Sequence, residues 1–280
     1  MHQGYRIVGD LTVIYDPMME TSPGVYLLLC LAAALGGAIN SIAGGGTLVT
    51  FPVLMFALKD IPGAAIIANA TNTVSLCPGS LSAAWGYRRE VRELLGWARW
   101  LAIPSLLGGI LGSIVVVRSP ESSFRAMVPW LIGAATLLFI LQPYLTLGKS
   151  QGTELNSRSN RYLQIVFLLQ LVIGFYGGYF GAGIGILMLS SLSLLQIGNI
   201  HHVNGLKTIL AGLINGASVV VFIQQGVVYW KFAIPMVIAA SIGGWLGAAG
   251  ARTLDKRLVR RLVITIGLVL TVWYFSQTMF

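Results

Sequence analysis

The residue of this sequence most able to do chemistry is Lys207, the only Lys or Arg clearly inside an apolar run. An ionisable group centred in such a run is costly enough to mark a functional site by default. No Asp or Glu falls within any apolar stretch to pair with it. A cation without an acidic partner suits an anionic ligand, and the same lack of carboxylates argues against a cation pump or a carboxylate proton relay. Asn204, Lys207 and Thr208 recur at three- and four-residue spacing, which places them on one helical face. Asn69, Asn72 and Thr73 do the same earlier in the chain, with Thr71 and Ser75 in the same stretch; Asn215 follows Thr208 by two turns. Amides and hydroxyls so placed can donate hydrogen bonds to an anion. The plainer readings are interhelical hydrogen bonding for the Asn and Thr residues and snorkelling for Lys207, which lies a turn and a half beyond His201 and His202. Those two histidines read as solvated loop residues.

Two glycine turns accompany these faces. The first is Gly44, Gly45 and Gly46, flanked by Asn40, Ser41 and Thr47; the second is Gly181, Gly183 and Gly185. Each precedes an apolar piece too short to span a bilayer. A half-helix of that kind presents unpaired N–H groups and a positive dipole end, both of which favour an anion. Irregular backbone at membrane depth is tolerated where it lines a cavity, and transporters with broken helices place such ends near the midplane. The competing reading is small-residue helix packing. That reading is preferred for Gly108, Gly109 and Gly112 and for Gly243, Gly244 and Gly247, which sit inside long uninterrupted apolar runs.

The elements that must hold these groups follow from composition. Of 280 residues, 56% are hydrophobic and 10% charged, against roughly 25% charged in a soluble domain. Apolar stretches of membrane-spanning length recur along the whole chain, so the solvent is the bilayer. The net charge of +9 then reports cytoplasmic loops that retain Lys and Arg, and no nucleic-acid partner is expected. Cys30 and Cys77 form no metal or disulfide spacing. Residues 27–38 imitate a signal-peptide core, but Asp10, Asp16 and Glu20 precede them without a basic start, which favours a retained helix. Enzyme signatures are missing: no paired carboxylates at depth, no Walker loop, no Cys/His cluster. We therefore expect no enzyme activity and no cofactor.

Hydropathy predicts helical pieces near 24–42, 47–58, 62–85, 97–117 and 126–147, then near 161–180, 184–197, 203–225, 231–251 and 258–276. The two sets share an order of lengths, and three short matches recur in the same order: Gly44 and Gly46 with Gly183 and Gly185, Asn69 and Thr73 with Asn204 and Thr208, and Gly108–Gly112 with Gly243–Gly247. The expected fold is an all-α polytopic membrane protein of two inverted structural repeats, with about eight long apolar helices and two short half-helices following the glycine turns. Its parts are a polar N-terminal segment (1–23), a first repeat (24–147), a cytoplasmic linker (148–160) and a second repeat (161–280). Loop charges orient the repeats. An odd number of crossings per half places Arg88, Arg89, Arg92, Arg99, Lys149, Arg158, Arg161, Arg252, Lys256, Arg257, Arg260 and Arg261 on one side. Arg6, Lys59, Arg118, Arg125 and Lys231 fall on the other, 12 cations against 5. An even number gives 9 against 8, so the positive-inside rule favours odd crossings, termini outside and the linker in the cytoplasm.

The run Gly37-Ala38-Ile39-Asn40-Ser41-Ile42-Ala43-Gly44-Gly45-Gly46-Thr47-Leu48-Val49-Thr50-Phe51-Pro52, the element Ala68-Asn69-Ala70-Thr71-Asn72 and the later Asn204-Gly205-Leu206-Lys207 resemble the sulfite exporter TauE/SafE family over about residues 24–276. The resemblance implies a multi-pass inner-membrane transporter of bacteria or archaea that moves small anions such as sulfite, thiosulfate or organosulfonates. The second glycine run departs from the family pattern: Ser191 stands at the place matched to Pro52, and Ala182 and Ile184 dilute it. The expectation is a secondary transporter or facilitator, with export as its direction. Its substrate would meet Asn40, Gly44, Gly45, Gly46, Thr47, Asn69, Thr71, Asn72, Thr73, Gly181, Gly183, Gly185, Asn204, Lys207 and Thr208. Uptake of a different small anion and a non-transporting membrane assembly factor remain the alternatives. The partners expected are the anion and the lipid bilayer, with homo-oligomerisation left open.

Overall fold

The computed structural model describes residues 7–8, 11–12, 22–42, 44–86, 92–145, 160–195, 200–250 and 256–279. Nearly all of the 1–23 segment, the 148–160 linker up to Asn160, Ala43, and the loop cations Arg88, Arg89, Lys149, Arg158 and Arg252 lie outside the described residues. Apart from a two-residue antiparallel pairing of β1 (Ile7–Val8) with β2 (Leu11–Thr12), the described chain is helical. Its ten helices are α1 (Pro23–Ile42), α2 (Thr47–Ala57), α3 (Ala64–Gly86), α4 (Leu95–Arg118), α5 (Glu121–Leu145), α6 (Asn160–Tyr179), α7 (Ile184–Ser193), α8 (Ile200–Gln224), α9 (Trp230–Gly250) and α10 (Lys256–Met279).

Six of these hold stretches long and apolar enough to cross a membrane: Pro23–Ser41, Leu95–Arg118, Glu121–Gln142, His202–Gln224, Trp230–Gly247 and Leu258–Gln277. In hydrocarbon a helix is the form that satisfies its own backbone, which is why these apolar runs are helical. Helix α3 has the length, 23 residues, but carries Asn69, Thr71, Asn72 and Ser75 in its buried part, so its polarity is spent inside the bundle. Helices α2 and α7 have 11 and 10 residues, about 16 Å at ~1.5 Å per residue, roughly half of a ~30 Å hydrocarbon core.

Helix α1 packs along α9, and α6 along α4; α3 lies against α9, and α8 against α4; α3 and α8 meet each other, as do α5 and α10. Exchanging the first five helices for the last five maps each of these contacts onto another or onto itself. Between lipid-bathed helices there is little hydrophobic drive, so close van der Waals packing has to hold them. Two glycines show how it is achieved. A Cβ on Gly112 of α4 would strike the Phe175 carbonyl of α6, and one on Gly243 of α9 would strike the Ala34 carbonyl of α1. Gly108, Gly109 and Gly247 also sit at tight helix contacts, as expected, whereas a Cβ on Gly244 would meet its nearest neighbour at an ordinary 3.6 Å. The larger apolar core joins the halves through Phe51 of α2, set edge-on to Phe180 with ring centroids 5.2 Å apart, a geometry worth about 1 kcal/mol.

The turns correct one alignment drawn from sequence. Gly44 and Gly181 both adopt left-handed φ, +82° and +80°. Each donates its N–H to the carbonyl five residues back, Ile39 and Tyr176, at 3.1 Å. Helix ends and starts are displaced by the same 137 residues, Ile42 to Tyr179 and Thr47 to Ile184. Gly44 and Gly46 thus correspond to Gly181 and Gly183, not to Gly183 and Gly185, and Pro52 corresponds to Leu189, not Ser191. Asn69 and Asn204 remain 135 apart, so the stretch from Ile184 to Asn204 is two residues shorter than that from Thr47 to Asn69. Matching glycine to glycine hid that deletion; matching the positive-φ residue reveals it.

Candidate functional site

The two glycine turns and the two polar helices meet around a cavity of about 150 Å³. Its wall takes Asn40 and Ser41 from the end of α1, Gly44 from the first turn and Thr47 from the start of α2. Helix α3 adds Thr73, Leu76, Gly79 and Ser80. From the second half come Phe180 and Gly181, Ile184 and Gly185 at the start of α7, and Asn204, Lys207, Thr208, Ala211 and Asn215 of α8. Nine of the residues expected from sequence are therefore brought together: Asn40, Gly44, Thr47, Thr73, Gly181, Gly185, Asn204, Lys207 and Thr208.

The other six stand behind that wall. Asn69, 1% exposed, donates through Nδ2 to the Tyr179 carbonyl at 2.9 Å, which caps the C-terminus of α6; its Oδ1 has no partner among the described residues. Asn72, 2% exposed, donates to Thr47 Oγ1 at 3.3 Å and accepts from the Thr50 hydroxyl. Thr71 Oγ1 accepts the Tyr229 backbone N–H at 3.0 Å. Gly45 lies under the Phe139 ring, and Gly46 abuts the Gly36 carbonyl. Gly183 is the left-handed residue that starts α7, with φ of 76°.

Ser80 is the wall residue that sequence reasoning missed. Its Oγ accepts from Asn40 Nδ2 and from Asn215 Nδ2, each at 3.4 Å. Ser80 and Asn215 are 135 residues apart, the same displacement as Asn69 and Asn204. Extending that register by eleven residues, about three turns, is the signal that would have found the pair.

Lys207 is the only charged side chain on the wall. Among the described residues no carboxylate forms an ion pair with it; the ion pair present there joins His202 to Glu93 at 2.7 Å. Helices α2 and α7 both begin at the wall, with Thr47 and Ile184, so their positive ends reinforce the ammonium. Gly185 leaves room for the lysine, since a Cβ there would lie 3.7 Å from Lys207 Cδ. Thr208 is held by its own helix, donating to the Asn204 carbonyl at 2.7 Å, and Thr73 donates to the Asn69 carbonyl at 2.9 Å. The wall therefore combines one cation, two positive helix ends and several amides. Its volume lies below the ~300 Å³ at which pockets for drug-sized ligands begin.

A family model described as Sulfite exporter TauE/SafE matches residues 29–274 of this chain. The chain is 30% identical over 254 residues to a "Probable membrane transporter protein" of Haemophilus influenzae, covering 90% of this chain and 95% of that protein. It is 30% identical over 258 residues to "Probable membrane transporter protein ORF9" of Sinorhizobium sp, covering 91% and 94%. To "Probable membrane transporter protein YfcA" of Escherichia coli K12 the identity is 28% over 258 residues, covering 92% of each. No solved structure matches the chain.

Proposed function

This chain belongs to the sulfite exporter TauE/SafE family, and from that premise we propose that it is a secondary transporter or facilitator of a small anion, exporting sulfite, thiosulfate or an organosulfonate across the cytoplasmic membrane. Membrane transport is the coarse activity carried by the family and by six helices fit to span a bilayer. The observation that carries the finer reading is Lys207 without a carboxylate partner on the wall of a small cavity where both short helices begin. The anion lies between the halves, with Lys207 supplying the compensating charge and Asn40, Asn204 and Asn215 flanking it.

The two halves act as inverted repeats. The exchangeable packing of α1 on α9 and α6 on α4 and the matched turns at Gly44 and Gly181 support that reading, as does the loop-charge bias. Rocking of one half against the other alternates access.

Flux in proteoliposomes tests the reading. Lys207→Ala should abolish or severely reduce sulfite efflux while the purified protein keeps its elution profile and helicity. Undiminished flux removes Lys207 from the mechanism. Running the assay with the gradient in each direction separates export from uptake, and a panel of sulfonates and carboxylates identifies the preferred anion.

A further inference from the structure

A second cleft, of about 390 Å³, lies between α2, α5 and α10 and shares no lining residue with the cavity at Lys207. The same order of polarity repeats on the α2 and α5 walls. At its mouth are Lys59, just beyond the end of α2, Arg125 in the early turns of α5, and Gln277 near the end of α10. All three are exposed. One to two turns further into the bundle the wall is apolar: Pro52 and Met55 of α2 and Val128 and Pro129 of α5, with Val128 only 1% exposed. On α10, Trp273 and Tyr274 lie about one turn before Gln277, and amphipathic rings of this kind collect at a membrane interface.

The charge at the mouth has one sign. Lys59 lies 5.7 Å from the Phe56 ring centroid, and among the described residues neither it nor Arg125 forms an ion pair. Asp60 is not part of the lining. The carboxylate of Glu121, one turn before Arg125, is occupied by the Gly63 N–H at 2.6 Å and the Ala65 N–H at 3.5 Å. A cleft with two cations above an apolar wall is shaped for an anionic amphiphile, whose binding draws on both buried apolar area and attraction to the charged headgroup.

We propose that the α2/α5/α10 cleft binds an anionic phospholipid, its phosphate between Lys59 and Arg125 and the start of an acyl chain over Pro52, Val128 and Pro129. Because α2 also begins at the anion cavity, an occupied cleft fixes the far end of the helix whose first turn faces the substrate.

Native mass spectrometry of the delipidated protein, titrated with phosphatidylglycerol or phosphatidylcholine of matched chains, tests the site. Phosphatidylglycerol should bind at least tenfold more tightly, and Lys59→Gln with Arg125→Gln should weaken it about thirtyfold, as expected for two cations removed from an anionic contact. Inorganic phosphate at millimolar concentration should not displace the lipid; displacement would reassign the cleft to free anions. Equal binding of the two lipids to the unmodified protein overturns the proposal without recourse to any variant, as does unchanged phosphatidylglycerol binding in the double variant.

Discussion

The polar faces of α3 and α8 occupy matching positions 135 residues apart, yet they do different work. On α3, Asn69 and Asn72 are spent on other elements, one capping the end of α6 and the other tying α2 to α3. On α8, Asn204 and Lys207 line the cavity. Position 72 is an amide and position 207 an ammonium for a physical reason. The amide satisfies both a donor and an acceptor in a sealed network, where a lysine would be a buried charge with no partner. Lys207 instead lines an open cavity. The two copies of one face thus share a threonine on the cavity wall, Thr73 and Thr208, but differ at their other polar positions, which close helices on α3 and line the cavity on α8.

Moving the charge breaks this division most severely. Asn72→Lys should lower stability by about 3–5 kcal/mol, the cost of an uncompensated buried charge, seen as loss of the folded elution peak or a large fall in thermal midpoint. Lys207→Gln, by contrast, should fold normally and lose anion binding. If Asn72→Lys is as stable as the natural chain, the α3 face is not sealed. The next largest contrast is between glycines. Gly45→Ala puts a methyl 2.6 Å from Phe139 Cζ, a ring with no exposed surface, and should cost about 1–3 kcal/mol through overpacking. Gly185→Ala meets only the Lys207 side chain at ordinary contact distance and should stay within about 0.5 kcal/mol; thermal unfolding of the pair in detergent checks both. The smallest effect is at Ser80. Ser80→Ala leaves the Asn40 and Asn215 amides without their shared acceptor and should cost about 1 kcal/mol, with weaker anion binding if those amides orient the ligand.

Much of this arrangement was legible from residue order because the bilayer removes alternatives. An apolar run of sufficient length must be helical, and a glycine turn before a short helix must line something. Lys207 stood out because nothing acidic shares its surroundings. What sequence could not distinguish was which copy of a repeated face is open. Asn69 and Asn204 look alike in sequence; only the carbonyl of Tyr179 and the hydroxyls of Thr47 and Thr50 decide that the first face is closed, and those partners come from distant elements. The glycine registers were misread for a related reason. Gly46 and Gly183 have the same place in the turn but different backbones, with φ of −55° and 76°, so residue identity alone could not align them. Ser80 escaped because a serine within a membrane helix usually bonds its own backbone, as Ser75 and Ser113 do here.

The central claim is that Lys207 holds an anion in the cavity between the two halves. Ligand that binds only the folded state raises apparent stability, by about 2.7 kcal/mol at a hundred times its Kd. The direct measurement is therefore the thermal midpoint of purified protein with sulfite, thiosulfate, sulfate, taurine, sulfoacetate and simple carboxylates, repeated on Lys207→Gln and on Arg118→Gln, which removes an exposed cation at the end of α4. At least one anion should raise the midpoint of the natural protein and of Arg118→Gln, with no rise in Lys207→Gln. An equal rise in all three proteins, or no rise with any anion, would contradict the account.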